Sequence, residues 1–258
     1  MRVLLLSAYD APSHRYWRQG LERYFGDCRF TQLTLPPRYF SWRVRGNSLS
    51  WGWGARDVLT VEYDLLVATS LVDLSALRGF VPELARLPTL LYFHEIQFAY
   101  PVSAAQHSSL EPQMVNLYSA LCADRLLFNS DWNRRTFIAG VERLLRRLPD
   151  QVPPGLLALL AEKSAVLPVP VEGPAEVTGR SSEVFDLVWN HRWEYDKGPA
   201  TLLAAVTQCV QRSLPLRFHL IGQQFRRRPA EFPRIAKLLA ARPELLGSWG
   251  FIEDVSSY

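Results

Sequence analysis

The chain has 258 residues, 48% of them hydrophobic and 21% charged, enough for one large or two modest globular domains. Its net charge of +4 is carried mostly by arginine, which suits phosphate-bearing partners but is too mild to establish nucleic-acid binding by itself. Three cysteines, Cys28, Cys122 and Cys209, lie far apart with no zinc-type spacing to histidine, and no apolar stretch is long enough for a signal peptide or membrane span; free thiols and a cytoplasmic location are expected.

In chain order, the apolar run 3–7 predicts a strand buried on both faces. Ser13 and His14 follow in the first strand-to-helix loop, and a helix is expected over 16–25. After a strand at 29–35, the stretch 35–51 is irregular, basic and aromatic, with Arg43, Arg45 and Trp51 among its residues. It fits a surface loop with some aromatics turned inward. It fits equally a recognition loop whose aromatic faces stack on a ring while arginines meet phosphates. Strands are expected at 63–69, 88–94 and 125–130, and helices around 74–78, at 110–123 and from 131 onward, the last capped by Ser130 or Asp131. A break at 149–155 leads to a short helix at 156–163 and an extended segment at 164–171. This alternation argues for a doubly wound parallel sheet.

The small, turn-rich stretch 173–182 reads as a linker between a first domain, 1–172, and a second, 183–258. The second offers a strand at 184–188, a polar and aromatic loop at 189–199, a helix to about 212, a strand at 216–222, a helix around 235–241 and an apolar segment at 248–252.

Two places carry candidate chemistry. Arg192 and Lys197 stand five apart in the loop where a strand hands over to a helix. Open α/β sheets bind ligands at that end of their strands, and a helix N-terminus there favours an anion. The pair therefore suggests a diphosphate site, against the plainer reading of solvated surface charge. His94 and Glu95 directly follow an apolar strand, which fits either a functional pair or a structural His–carboxylate contact. A nicotinamide-type site is disfavoured because the first loop lacks a glycine-rich fingerprint, and neither a Walker lysine loop nor a Gly-x-Ser-x-Gly elbow occurs. The basic patch 226–228 reads as a solvated loop.

Four segments together, PPRYFSWRVRGN at 36–47, YFHEIQFAYP at 92–101, FNSDWNR at 128–134 and WNHRWEYDKGP at 189–199, resemble the tRNA-queuosine α-mannosyltransferases, a branch of the retaining glycosyltransferases of family four. The resemblance implies an α/β fold of GT-B type: two Rossmann-like doubly wound parallel-sheet domains, the first for the acceptor and the second for a nucleotide sugar. It implies transfer of mannose from GDP-mannose to queuosine in a tRNA anticodon, with retention and without a metal or other cofactor. By the same resemblance, Arg192 and Lys197 take the departing diphosphate, with Asn190, His191 and Gly222 on the donor side. His94 lies near the transferred sugar and Glu95 orients it, while Ser13, His14, Arg43, Arg45 and Trp51 belong to the acceptor side. Related enzymes carry a Glu-rich segment and a returning helix later in the second domain, which is therefore expected to be incomplete here, with weakened donor binding. Two other readings remain at this level: a glycosyltransferase for a lipid or polysaccharide, docking through the apolar-basic segment 143–148, and a non-catalytic tRNA- or nucleotide-binding module. Oligomeric state is not readable.

Overall fold

Val3, Leu4, Leu5 and Leu6 are all buried, as a strand covered on both faces requires. They form the centre of β1 (Arg2–Ser7) in a computed structural model that describes residues 1–99, 109–148, 150–173, 184–225 and 228–252. The chain divides into two compact units, Met1–Gly173 and Pro174–Tyr258. Of the expected linker, residues 174–182 lie outside the described residues.

In the first unit β1 is followed by α1 (Pro12–Tyr24), β2 (Arg29–Thr34), α2 (Phe40–Gly54), the single turn α3 (Arg56–Leu59) and β3 (Leu65–Thr69). Next come α4 (Leu74–Phe80), β4 (Thr89–Phe93), α5 (Glu111–Cys122), β5 (Arg125–Phe128), α6 (Asp131–Leu145), α7 (Leu156–Glu162) and β6 (Ser164–Val166). The six strands pair in parallel in the order β2-β1-β3-β4-β5-β6. Strand order reverses at β1, and at such a switch point the loops at the carboxyl ends part to leave room for a ligand.

Two sequence expectations change here. Pro12 occupies the start of α1, where its fixed φ favours a helix, so Ser13 and His14 sit in the first helical turn and not in a loop. The stretch 35–51 is mostly helix. Val44, Asn47, Ser48 and Trp51 are buried at helical spacing along α2, although its glycines and serines depress helix propensity and hide the pattern.

The second unit contains β7 (Phe185–Asn190), α8 (Pro199–Arg212), β8 (Leu216–Ile221), α9 (Glu231–Ala240) and β9 (Leu246–Gly250). Its three strands are parallel in the order β7-β8-β9. Leu187 and Trp189 pack on a core of Trp193, Leu202, Val206, Phe218, Phe232 and Ile235, while the alternate residue Val188 is exposed.

Candidate functional site

At the carboxyl end of β4 the chain turns through His94 and Glu95. His94 stacks on His14 of α1 at 4.0 Å between ring centroids, meets Tyr92 at 4.7 Å and takes the edge of Trp17 at 4.9 Å. Burial in this cage of rings, and to a smaller degree the neighbouring His14, pushes the His94 imidazole down to about 2. His94 is thus neutral at any working pH. Its Nε2 is sealed from solvent and has no partner among the described residues. Sealed in this way, Nε2 is out of reach of a ligand arriving from solvent, and the neutral ring contributes shape and packing to the cage. Tyr92 closes the cage; it donates its hydroxyl to the Leu167 carbonyl at 2.8 Å, and burial pushes its phenol up to about 12.

Glu95 does not orient His94. Its carboxylate lies 3.1 Å from Nε2 of His14, and no hydrogen bond joins it to His94. The pair is a bridge between α1 and the end of β4, with His14 buried and Glu95 partly open. Beside it, Asp10 receives a two-pronged contact from Arg18, at 2.9 Å on each oxygen. Burial alone raises this carboxyl, but Arg18 and then Arg15 hold it below the ordinary carboxylate range.

The geometry of the rim depends on buried and half-buried amides that sequence reasoning gave no role. Asn129 and Asn133, at the start of α6, both donate to the His94 carbonyl, at 2.7 and 3.2 Å. Asn116 of α5 accepts from the Gln97 amide at 2.9 Å and donates to the Ser70 carbonyl at 2.8 Å, so one side chain ties together the loops after β4 and β3. Asn47 of α2 donates to the Leu71 carbonyl and accepts from the Asp73 amide. An unpaired buried polar group is costly, so an asparagine at helical spacing within an apolar stripe is the one available sequence signal for such an anchor.

In the second unit, the loop 190–199 is pinned from inside. Trp193 is fully buried and stacks on Phe232 at 4.3 Å, and its amide donates to the Gln223 carbonyl at 2.9 Å. Gly222, with φ 152°, lets the β8 end approach the His191 carbonyl; a Cβ there would overlap that oxygen. The two cations of the loop come with carboxylates. Arg192 pairs with Glu194 at 2.8 Å and approaches Asp196 at 4.0 Å, and Lys197 pairs with Asp196 at 2.7 Å. Asp196 is almost wholly buried, so it fixes both cations while the partly open Arg192 and Lys197 keep access to solvent. Asn190 ends β7, and His191 meets Trp189 edge-on at 5.3 Å. Gly198 at the start of α8 supplies no side-chain cap.

The remaining expected residues fare differently. Trp51 is a core residue, 4% exposed, and cannot stack on a ligand. Arg45 is bound to the buried carboxylate of Asp73 at 3.0 Å. Arg43 is buried, and among the described residues its side chain makes no ion pair or hydrogen bond, with Nε sealed. Within the segment 143–148, Leu144 is buried and Leu145 packs on the core, which leaves Leu148 as its one exposed apolar side chain and little surface for membrane docking. No helix among the described residues is long and apolar enough to cross a membrane. Tyr100 and Pro101 of the His-Glu segment, and Arg226 and Arg227 of the basic patch, lie outside the described residues.

Two parallel α/β sheets in succession, with candidate ligand groups at their carboxyl ends, define a glycosyltransferase fold of GT-B type. Solved structures with the same fold include Anabaena HepE in complex with UDP and glucose, at TM-score 0.54 and 15% identity over 98% of this chain and 70% of that one. The E. coli trehalose-6-phosphate structure bound with UDP-2-fluoro glucose matches at TM-score 0.55 and 14% identity over 99% of this chain and 74% of that one. At the sequence level, residues 2–171 match the family model described as tRNA-queuosine alpha-mannosyltransferase N-terminal. The tRNA-queuosine alpha-mannosyltransferase of Drosophila melanogaster is 30% identical over 263 aligned residues, covering 97% of this chain and 68% of the relative. The chain belongs to the tRNA-queuosine α-mannosyltransferase family, and it is a glycosyltransferase.

Proposed function

We propose that the protein transfers mannose from GDP-mannose to a cyclopentene-diol hydroxyl of queuosine in a tRNA anticodon, with retention at the anomeric carbon. One observation carries this reading: the family match spans 2–171, nearly the whole first unit, and similarity to the Drosophila enzyme extends over 97% of the chain. The acceptor would be a cytoplasmic tRNA.

In the proposed reaction the bond between the anomeric carbon and the diphosphate oxygen breaks. The acceptor hydroxyl oxygen forms the new bond on the same face, and its proton leaves with the diphosphate. Negative charge grows on the leaving group, and preorganised cations are worth most at that moment. Arg192 and Lys197, held by Glu194 and Asp196, would serve this purpose at the start of α8, where uncapped helix amides favour an anion. This mechanism calls on no metal. Asn190, His191 and Gly222 would shape the donor side. His94, held neutral in its ring cage, would lie close to the transferred sugar and shape that side of the site, its sealed Nε2 taking no part. Ser13, His14 and Arg43 would lie on the acceptor side, with Glu95 acting through His14 as a positioning residue. Trp51 has no place in it, and Arg45 enters only through Asp73.

Incubation with radiolabelled GDP-mannose and tRNA that carries queuosine tests the reading. Label is expected in that RNA and not in otherwise identical RNA carrying guanosine instead. Label in a lipid fraction, or none in queuosine RNA, overturns it.

A further inference from the structure

The first turn of α2 and the residues before it hold groups for which the transfer step itself names no contact. Tyr39 is 72% and Trp42 56% exposed, although aromatic rings of this size are usually more deeply buried. The Trp42 ring is not loose. Gly46, one turn on, leaves a seat for the indole: a Cβ at 46 would collide with ring atoms Cε2, Nε1 and Cδ2. The indole therefore rests on the helix backbone with little rotamer freedom left to lose. Tyr39 sits in the left-handed region at φ 55°, an unfavourable conformation for a tyrosine. Arg38 covers its ring, with the guanidinium carbon 5.6 Å from the centroid.

Arg43 is a second, independent observation. Its side chain is nine-tenths buried, Nε is sealed, and nothing among the described residues pairs with the guanidinium. The two terminal nitrogens are not among the sealed atoms, so the outer edge of the group still meets solvent. A cation left in this state is costly, and an anion arriving from the solvent side offsets the cost. The turn also has a defined place. Tyr9 meets Phe40 edge-on at 5.9 Å, and Leu35 exchanges backbone hydrogen bonds with Ser7 and Asp10. Segment 38–43 thus stands at the carboxyl-end rim, next to the loop that leads into His14.

Exposed, seated aromatic faces beside an unpaired arginine are the means by which single-stranded nucleic acid is held: bases stack and phosphates meet guanidinium groups. We propose that Trp42 and Tyr39 form a stacking platform for one unstacked base of the anticodon loop, and that Arg43 takes an adjoining phosphate. This rests on the tRNA acceptor reading above. It moves the stacking role from the buried Trp51 to Trp42 and Tyr39.

The test measures binding of a synthetic anticodon stem-loop RNA to the protein and to Trp42→Ala, Trp42→Phe, Arg43→Gln and Trp53→Ala, alongside mannose transfer and thermal midpoints. Trp53 is the control: it is exposed at the other end of α2, against Phe80. Trp42→Ala should weaken binding about tenfold, within the range that loss of one stacked base produces, with its thermal midpoint unchanged. Trp42→Phe should retain most of the affinity, and Trp53→Ala all of it. Arg43→Gln should reduce the slope of log Kd against log salt by about 0.7, the share of one single-strand phosphate, with an unchanged or higher midpoint. Binding by Trp42→Ala equal to that of the unaltered protein, or an equal loss in Trp53→Ala, overturns the platform even if mannose transfer proceeds. An unchanged salt slope with a lowered midpoint overturns the phosphate role and makes Arg43 structural. If the unaltered protein neither binds the stem-loop nor transfers mannose to tRNA, the acceptor reading falls and the platform falls with it. A protein partner that competes for Trp42 while RNA does not would also overturn it.

Discussion

Around His94 the first unit assembles rings and amides, whereas the loop 190–199 of the second unit assembles two cations and two carboxylates within a few residues. The His94 side chain is made ready by desolvation. Its backbone is gripped by Asn129 and Asn133, and its neutrality follows mainly from burial, with a smaller push from the His14 ring stacked on it. Arg192 and Lys197 are made ready by pairing. They keep their solvent exposure and are aimed by a buried aspartate, and the loop as a whole is held by one indole in the core. A ring kept neutral gains from a dry cage. A cation that is to meet an anion must stay charged, which solvent exposure secures, and its partners fix where it points.

The comparison can be broken most forcefully at Trp193. Trp193→Ala leaves a void between α9 and the loop and should cost about 3–5 kcal/mol, seen as a lower denaturant midpoint. If the loop instead owed its order to its ion pairs, the loss would be small. Next in size is Lys197→Ala, expected to reduce mannosyl turnover on the order of 10²–10³-fold, as for a lost oxyanion-stabilising donor, with RNA affinity retained. Equal loss of turnover and RNA binding would mean that Lys197 holds the fold or the RNA. The smallest effect belongs to His94. Its imidazole titrates near 2 when folded and near the ordinary 6.5 when unfolded. Between those values the unfolded chain holds the extra proton, so this contribution is fully present above 6.5 and is lost as pH falls. At pH 5 the loss should be about 2 kcal/mol relative to neutrality. Denaturation at the two pH values, for the protein and for His94→Gln, isolates it: the variant should lose less stability on acidification. An identical pH response in both proteins would show that the ring is not desolvated as described.

The sequence by itself determined the strands, the parallel alternation and the positions of the motifs at strand ends. Each rests on local patterns: apolar-rich runs at 3–7 and 88–94, with polar residues close after them. It also marked Arg192 and Lys197 as companions, because five residues of loop cannot separate them far. Only the tertiary structure decided which side chains those positions serve. Glu95 is adjacent to His94 in sequence but bonds His14, 81 residues away. Trp51 and Trp42 stand on one helix, one buried and one exposed, and neither ring announces its side by residue type alone. That difference is set by which face of α2 meets α4 and α5, a matter of packing between elements distant in the chain. The same holds for Asn47 and Asn116, whose partners are backbone groups of loops tens of residues away. Hydrophobic periodicity is a local code and is legible in one dimension; the satisfaction of buried polar groups is a property of the packed whole.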